Sequence, residues 1–434
     1  MQFIAESDQT LHSDYDKTMM GAPALRPRPG VRRRQRAKML HCRLTADLTM
    51  PNVIRPTIAH PRNLGRRLCL QAGAGLALSA LLPEAARAQA VPSASAPPLA
   101  ATSTPQTPAS APAASLGDWN ASGVQALAAR IVERNNLPEA LVTRLIAKAQ
   151  YSATVARLIL PGPPGKKSWK IYRSRFLDSL RIGAGSDFMQ EFGVWFQRAQ
   201  ERYGVPPHIV AGILGVETIY GRNMGNFRVV DALSTLALRY PAQAPRDRSA
   251  YFGVQLGDFF QWCTHDARDP LQVRVSYAGA IGMPQFMPES ILRYAVDFDQ
   301  GGGIDLINDP ADAIGSVASY LAAKGWVRGQ PAHFPLQLPP DLPQATLATL
   351  LGPDITPTFT ANQLAAMGLS LLPQARAYAG KLAVVQLPNA GSDPDYVLGT
   401  DNFYVITRYN QSAFYALAVI ELGEVVAAAA AAQS

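Results

Sequence analysis

Residues 91–115, VPSASAPPLAATSTPQTPASAPAAS, contain no charged and no aromatic residue. Such a stretch of Pro, Ala, Ser and Thr has too little apolar surface to offset the entropy of ordering it, so it reads as an extended tether. Its role is open between a spacer and low complexity without a function. Either way it divides the 434-residue chain, and any packed core must come from the residues beyond about Asp118.

The segment before the tether has its own signature. RNLGRRLCLQAGAGLALSALLPEAARAQA opens on Arg62, Arg66 and Arg67, runs apolar from Leu68 to Leu82 and closes on Ala88-Gln89-Ala90. A basic start, a short apolar run and a small-residue exit make a secretory signal peptide, and the run is too short to span a bilayer. Cleavage near Ala90 is expected to leave a mature protein beginning at Val91 in the periplasm. The paired arginines permit twin-arginine export as well as ordinary secretion. Upstream, Met39 and Met50 are alternative starts, and RPRPGVRRRQRAK carries no folding pattern. Cys69 stands at the start of the apolar run rather than after it, so no lipid anchor is expected. With Cys42 and Cys69 in the leader, Cys263 is left alone and no internal disulfide is expected.

The formal charge of +8 would invite a nucleic-acid partner, but its location argues otherwise. Residues 1–90 hold 14 basic and 6 acidic side chains, which is the whole excess. The body is balanced and lacks the electrostatic footprint of a DNA- or RNA-binding protein.

After the tether, helical periodicity dominates. It runs through VQALAARIVERN, PEALVTRLIAKAQYSATVARLI and, after GPPGKKSW, through KIYRSRFLDSLRIGAGSDFMQEFGVWFQRAQERYG. RVVDALSTLALRY, SAYFGVQLGDFFQWCTH and PADAIGSVASYLAAKGW continue it. From about Val327 to Thr400 prolines recur, and KLAVVQLP and DYVLGT read as short strands. NFYVITRYNQSAFYALAVIELGEVVAAAAAA reads as strand-like at first and helical later. The expected class is α+β, mostly α.

GVPPHIVAGILGVETIYGRN (residues 204–223) holds the sharpest chemical signal. Pro206 and Pro207 suit a first helical turn, and Gly221 and Asn223 supply a stop. Val210, Ile213, Leu214 and Glu217 then share one face. A charged Glu on an apolar stripe costs several kcal/mol unless it is paired or its pKa rises until it is neutral. Two readings are open. Glu217 is an ion-pair partner of an arginine such as Arg222 or Arg239, or it is a neutral general acid. The helix has no basic residue in the two turns before Glu217, which favours the acid. So does VSYAGAIGMPQFMPES (275–290), whose small residues Gly279 and Gly282 and whose Ser276, Gln285 and Phe286 suit a sugar. A carboxylic acid kept protonated by an apolar pocket is the device that lysozyme uses on a glycosidic bond.

GVPPHIVAGILGVETIYGRNMG, VVDALSTLALRYP, SYAGAIGMPQFMPES, DPADAIGSVASYLAAKGW and NFYVITRYNQSAFYA, in that order, resemble the lytic murein transglycosylase B family, glycoside hydrolase family 103, over about residues 118–425. The resemblance implies a lysozyme-like helical core (204–326) with an added N-terminal helical domain (117–203), a small β subdomain (327–400) and a C-terminal strand and helix (401–434) returning to the core. Residues 1–90 are then the leader and 91–116 the linker. It implies cleavage of the MurNAc–GlcNAc bond of peptidoglycan without water, leaving 1,6-anhydro-MurNAc. Glu217 matches the family's catalytic glutamate. Tyr172, Arg248, Ser276, Gln285, Phe286, Tyr320, Tyr409, Asn410 and Tyr415 match its groove residues. Arg248 matches one of two adjacent family arginines. The other position holds Asp247, which puts the peptide contacts of that pair in doubt. A single carboxyl group serves as acid and then base, so no second is required; Asp231 and Asp266 have cap or turn roles open to them. A hydrolytic muramidase and a non-catalytic wall-binding protein remain the alternatives.

DFDQGGGID places Asp297, Asp299 and Asp305 at positions 1, 3 and 9 of an EF-hand-like loop, with Gly302 at the turn and Ile304 at the eighth position. The resemblance adds Asp312 as a later calcium ligand. Gly301 and Asn308 replace the usual donors at positions 5 and 12, so a structural calcium site and a metal-free turn both stand. The chemistry itself needs no cofactor. The expected partners are peptidoglycan strands and cell-wall synthesis proteins, with no nucleic acid, no transmembrane segment and a monomeric chain.

Overall fold

The computed structural model describes residues 119–433, apart from 163, 164 and 166. The expected leader, its cleavage point and the tether lie outside the described residues.

The first helices are α1 (Ala121–Asn135), α2 (Glu139–Ala147), α3 (Ala153–Leu158), α4 (Trp169–Ser174), α5 (Ser179–Glu191) and α6 (Gly193–Tyr203). Side-chain caps set several boundaries: Asn120 accepts from the first-turn N–H groups of α1, Ser152 caps α3 and Asp178 caps α5. The long periodic run after Pro138 is broken between α2 and α3, where Gln150 N donates to Asp231 and Ser152 N to Thr235. Tertiary acceptors there replace helical ones.

Next comes α7 (Pro207–Thr218), with Pro207 in its first position. The two-residue strand β1 (Phe227–Arg228) leads into α8 (Val229–Leu238) and α9 (Ser249–His265). β2 (Arg274–Val275) pairs antiparallel with β1, Phe227 opposite Val275. Bridges Val275–Ile281 and Ile281–Phe286 fold the chain after β2 into a compact loop. α10 (Pro288–Tyr294) and α11 (Pro310–Ala323) follow.

β3 (His333–Leu336), α12 (Gln344–Leu351), α13 (Ala361–Ala366), α14 (Pro373–Arg376), β4 (Ala383–Asn389) and β5 (Ser392–Gly399) form a small unit around an antiparallel sheet of order β3-β5-β4. The two expected strands are β4 and β5. A separate apolar cluster around Leu350, Leu364, Leu382 and Leu398 fills the sheet's helical side.

The chain after the sheet departs from expectation. NFYVIT is not strand-like but forms α15 (Asp401–Thr407). Thr400 accepts from Asn402 N and Phe403 N, and Asp401 occupies the first turn, so the cap outweighs the β-branched composition.

α16 (Ala413–Gln433) is the one described helix long and apolar enough to cross a membrane. In the fold it is a core helix, with Tyr415 to Ile420 buried and its length packed on α7 and α5. α7 and α16 meet at backbone distance through glycine. A Cβ on Gly212 would lie 2.1 Å from the Val419 carbonyl oxygen, and one on Gly423 would lie 2.0 Å from that of His208.

Candidate active site

Glu217 lies in the last turn of α7, whose other residues from Ile209 to Thr218 are buried. The helix stops at Thr218, earlier than Gly221 and Asn223 require. Ile219 and Tyr220 both take left-handed conformations, at φ 53° and 54°, and Gly221 follows at φ 84°. A β-branched residue pays a steric penalty there, and such strain persists only when the surroundings impose it. Thr218 imposes it. Its Oγ1 donates to the Met283 carbonyl at 2.8 Å and accepts from Gly221 N at 3.0 Å, pinning the end of α7 to the 275–286 loop. The Tyr220 ring fills a slot where a Cβ on Gly185 or Gly215 would meet its hydroxyl within 2.5 Å.

Glu217 itself is half-buried. Its side-chain hydrogen bond comes from Tyr415, whose hydroxyl donates to Oε1 at 2.7 Å. Burial pushes the carboxyl pKa up to about 7, against the lowering effect of that hydrogen bond. The ion-pair reading does not hold: Arg239 stacks on Tyr151 at 4.3 Å, and exposed Arg222 makes no ion pair with Glu217.

Around Glu217 the aromatic residues converge. Tyr409 stacks on Tyr415 with ring centroids 6.2 Å apart and packs on Tyr320 at 4.9 Å. Phe286 lies 5.7 Å from Tyr320 and 5.9 Å from Tyr409. The Tyr409 hydroxyl donates to Pro284 O and the Tyr320 hydroxyl to Arg408 O, each at 2.6 Å. Burial and the neighbouring Glu217 charge both hold the Tyr409 and Tyr415 hydroxyls well above the ordinary tyrosine range, so both remain neutral donors. Tyr172 packs against Phe414 at 5.4 Å, beside the start of α16. Tyr294, which the sequence did not single out, packs edge-on to Tyr320 at 5.1 Å.

The remaining expected groove residues divide. Gln285 is in a left-handed conformation, φ 52°, with its amide donating to Met224 O and Gly282 O. Ser276 is buried, and its hydroxyl accepts from Ala280 N at 3.1 Å, closing the loop. Asn410 is half-buried in the turn after α15. Arg248 is not among these contacts: its guanidinium lies over Tyr251 at 4.7 Å and Phe252 at 5.5 Å. Asp247 accepts from Ser249 N and Oγ at the start of α9. Asp231 is held by Arg228, and Asp266 by His265 and Arg268. No other carboxylate acts electrostatically on Glu217 among the described residues.

The acidic loop is partly assembled. Asp297, Asp299 and Asp312 bring ligand oxygens within 4.8 Å of one another. Asp312 is buried and accepts from Phe298 N and Asp305 N at 2.6 and 2.7 Å. Asp305 does not join the group. Its oxygens accept from Ile307 N, Asn308 N and the Asn308 amide, so it caps the next turn. Three converging carboxylates are hard-oxygen donors that fit a calcium ion, with one aspartate fewer than expected.

Comparison with known proteins places this geometry. A family model described as a transglycosylase SLT domain matches residues 120–424. The membrane-bound lytic murein transglycosylase B of Escherichia coli K12 is 37% identical over 326 residues, covering 72% of this chain and 85% of that protein. The solved E. coli lytic transglycosylase SLT35 in complex with calcium is 35% identical, with a TM-score of 0.63 over 73% of this chain and 96% of that one. SltB1 of Pseudomonas aeruginosa is 36% identical with a TM-score of 0.63, over 72% of this chain and 99% of that one. SltB3 of the same organism, solved with NAG-anhNAM-pentapeptide, is 27% identical with a TM-score of 0.61, over 71% and 79%. The chain with Glu217 at the end of its buried helix belongs to the transglycosylase SLT domain family.

Proposed function

We propose that this protein is a peptidoglycan lytic transglycosylase in which Glu217 alone carries both proton transfers. The observation that bears most weight is a half-buried carboxyl group with a pKa of about 7 and no neighbouring carboxylate among the described residues. Near neutral pH a large fraction of Glu217 is protonated, as a general acid requires. Tyr415 occupies Oε1 as acceptor, which leaves the acidic proton on Oε2.

Glu217 gives that proton to the glycosidic oxygen between MurNAc and GlcNAc, and the bond to C1 breaks. The MurNAc N-acetyl oxygen bonds to C1 and takes up the positive charge, so no carboxylate nucleophile is needed. The Glu217 carboxylate then accepts the proton of the same sugar's O6, and O6 displaces the N-acetyl oxygen at C1. The result is a 1,6-anhydro end, a free GlcNAc 4-hydroxyl and a reprotonated Glu217, with no water consumed. Tyr409, backed by the buried rings of Phe286 and Tyr320, supplies an aromatic surface for the glycan, and the Gln285 side-chain carbonyl and the Asn410 amide supply polar groups for its rim. Digested cell-wall sacculi analysed by mass spectrometry should contain anhydro ends; reducing ends alone would mean a muramidase, and no cleavage a binding protein.

The loop of Asp297, Asp299 and Asp312 is assigned as a calcium site outside the chemistry, supported by the donor set and by the calcium complex of SLT35. The signal-peptide pattern supports a periplasmic place for the enzyme, and the absence of a cysteine after its apolar run supports a form without a lipid anchor; a monomer working on glycan strands alongside cell-wall synthesis proteins completes the reading.

A further inference from the structure

A pocket of about 320 Å³ opens between the end of α1, the middle of α9 and α10. Its lining is mostly polar and carries both signs, Arg134, Asn135, Asp258, Gln261, Glu289 and Arg293, with Leu292 as its apolar member. Asp258 is the residue that needs an explanation. Its side chain is only 4% exposed, and its contacts fall on one oxygen. Oδ1 accepts from the Asn135 amide at 2.8 Å and lies 3.5 Å from Arg134 Nε. Oδ2 accepts no hydrogen bond from any described residue and is left facing the pocket. Oδ2 is not among the enclosed polar atoms that lack a partner, so water or a ligand in the pocket can reach it, while the enclosed atom without a partner here is Asn135 Oδ1. Buried Asn135 holds the arrangement rigid, its amide donating to Gln261 Oε1 as well, at 2.8 Å.

Opposite charges flank this acceptor. Arg293 reaches Glu289 at 2.8 Å and is half exposed, and Arg134 is similarly exposed. Both guanidinium groups therefore keep donors free for an incoming anion. One ligand chemistry meets both signs in so small a space: an ammonium and a carboxylate on the same carbon. Asp258 and Glu289 face the ammonium, and Arg134 and Arg293 the carboxylate.

We infer that this pocket binds the free α-amino acid centre presented by the diamino acid of a peptidoglycan peptide stem. The inference rests on the substrate class proposed above. Position supports it. Glu289 and Arg293 sit on α10, which begins two residues after Phe286, a ring behind the aromatic surface. From Phe286 to Arg293 the helical rise spans roughly 10 Å, and a stem of three extended residues reaches about as far.

Calorimetric titration with the tripeptide L-Ala-γ-D-Glu-meso-diaminopimelate tests this directly, without any cleavage. The wild-type protein should bind the free tripeptide and bind it at least ~10-fold more weakly when its distal amine is acetylated, since a paired charge is then left buried alone. Arg293→Met, at an exposed position that folding tolerates, and Asp258→Asn, which keeps the shape, should each weaken binding by a similar factor. Equal binding of both tripeptides, or unchanged binding by Arg293→Met, would overturn the assignment and leave a salt-bridged surface. Anhydro ends formed by the same wild-type preparation read the enzymatic function separately, so loss of one result leaves the other interpretable.

Discussion

The hydroxyl of Tyr415 lies 2.7 Å from Glu217 Oε1, joining the first turn of α16 to the last turn of α7. The bond fixes the carboxyl plane and decides which oxygen carries the proton. Because it also lowers the Glu217 pKa, Tyr415→Phe should move the alkaline limb of the activity profile upward. Loss of a hydrogen bond to a charged group should reduce kcat/KM by about tenfold or more. A pH–rate profile checks both, and an unmoved limb would show that the hydroxyl does not act on Glu217.

Glu217→Gln keeps the acceptor for Tyr415 and removes the proton transfer. Turnover should fall by at least ~10²–10⁴-fold. The stability effect has a defined sign. A folded pKa of about 7 against an ordinary value of 4.5 means that the fold disfavours the charged form, a cost absent below the lower value and complete above the higher. The Gln variant should therefore melt at a higher temperature than wild type at pH 8 and not at pH 4. Thermal melts across that range decide it; a Gln variant destabilised at pH 8 would mean a structural ion pair.

Gly212→Ala tests the contact beneath the pair. The new Cβ would sit 2.1 Å from the Val419 carbonyl oxygen, which is backbone and cannot rotate aside. Overpacking of this kind costs about 1–3 kcal/mol. Displacing α16 also moves Tyr415, so activity should fall further than the melting temperature alone explains.

At the acidic loop, millimolar calcium should raise the melting temperature by mass action. Asp297→Ala should abolish the increment. Asp305→Ala should lower the baseline, because Asp305 caps the Ile307–Asn308 turn, yet keep the increment. A wild-type melt indifferent to calcium would establish a metal-free turn.

How far the sequence showed this molecule depends on range. α7 and the place of Glu217 were legible because periodicity and paired prolines are local signals. The early stop at Ile219 was not, since it is imposed by Thr218 reaching Met283, 65 residues away. NFYVIT misled because β-branched composition competed with a Thr cap, and the cap won. Asp305 matched a calcium-loop position by spacing, while its carboxylate actually accepts from the backbone N–H groups two and three residues downstream. Arg248 matched a family position, yet its described contacts are Tyr251 and Phe252. The Asn135–Asp258 pocket had no sequence signal, because its two halves are 123 residues apart.

The 198-residue separation between Glu217 and Tyr415 also sets an order of events. A chain leaves the ribosome from its N-terminal end. The proton donor is thus exposed long before its aromatic partner arrives on the last helix. Until α16 docks in the glycine-lined groove of α7, the carboxyl group lacks the low-dielectric surroundings that keep it acidic at neutral pH. An acid assembled in this order becomes competent only when the last helix of the fold has docked.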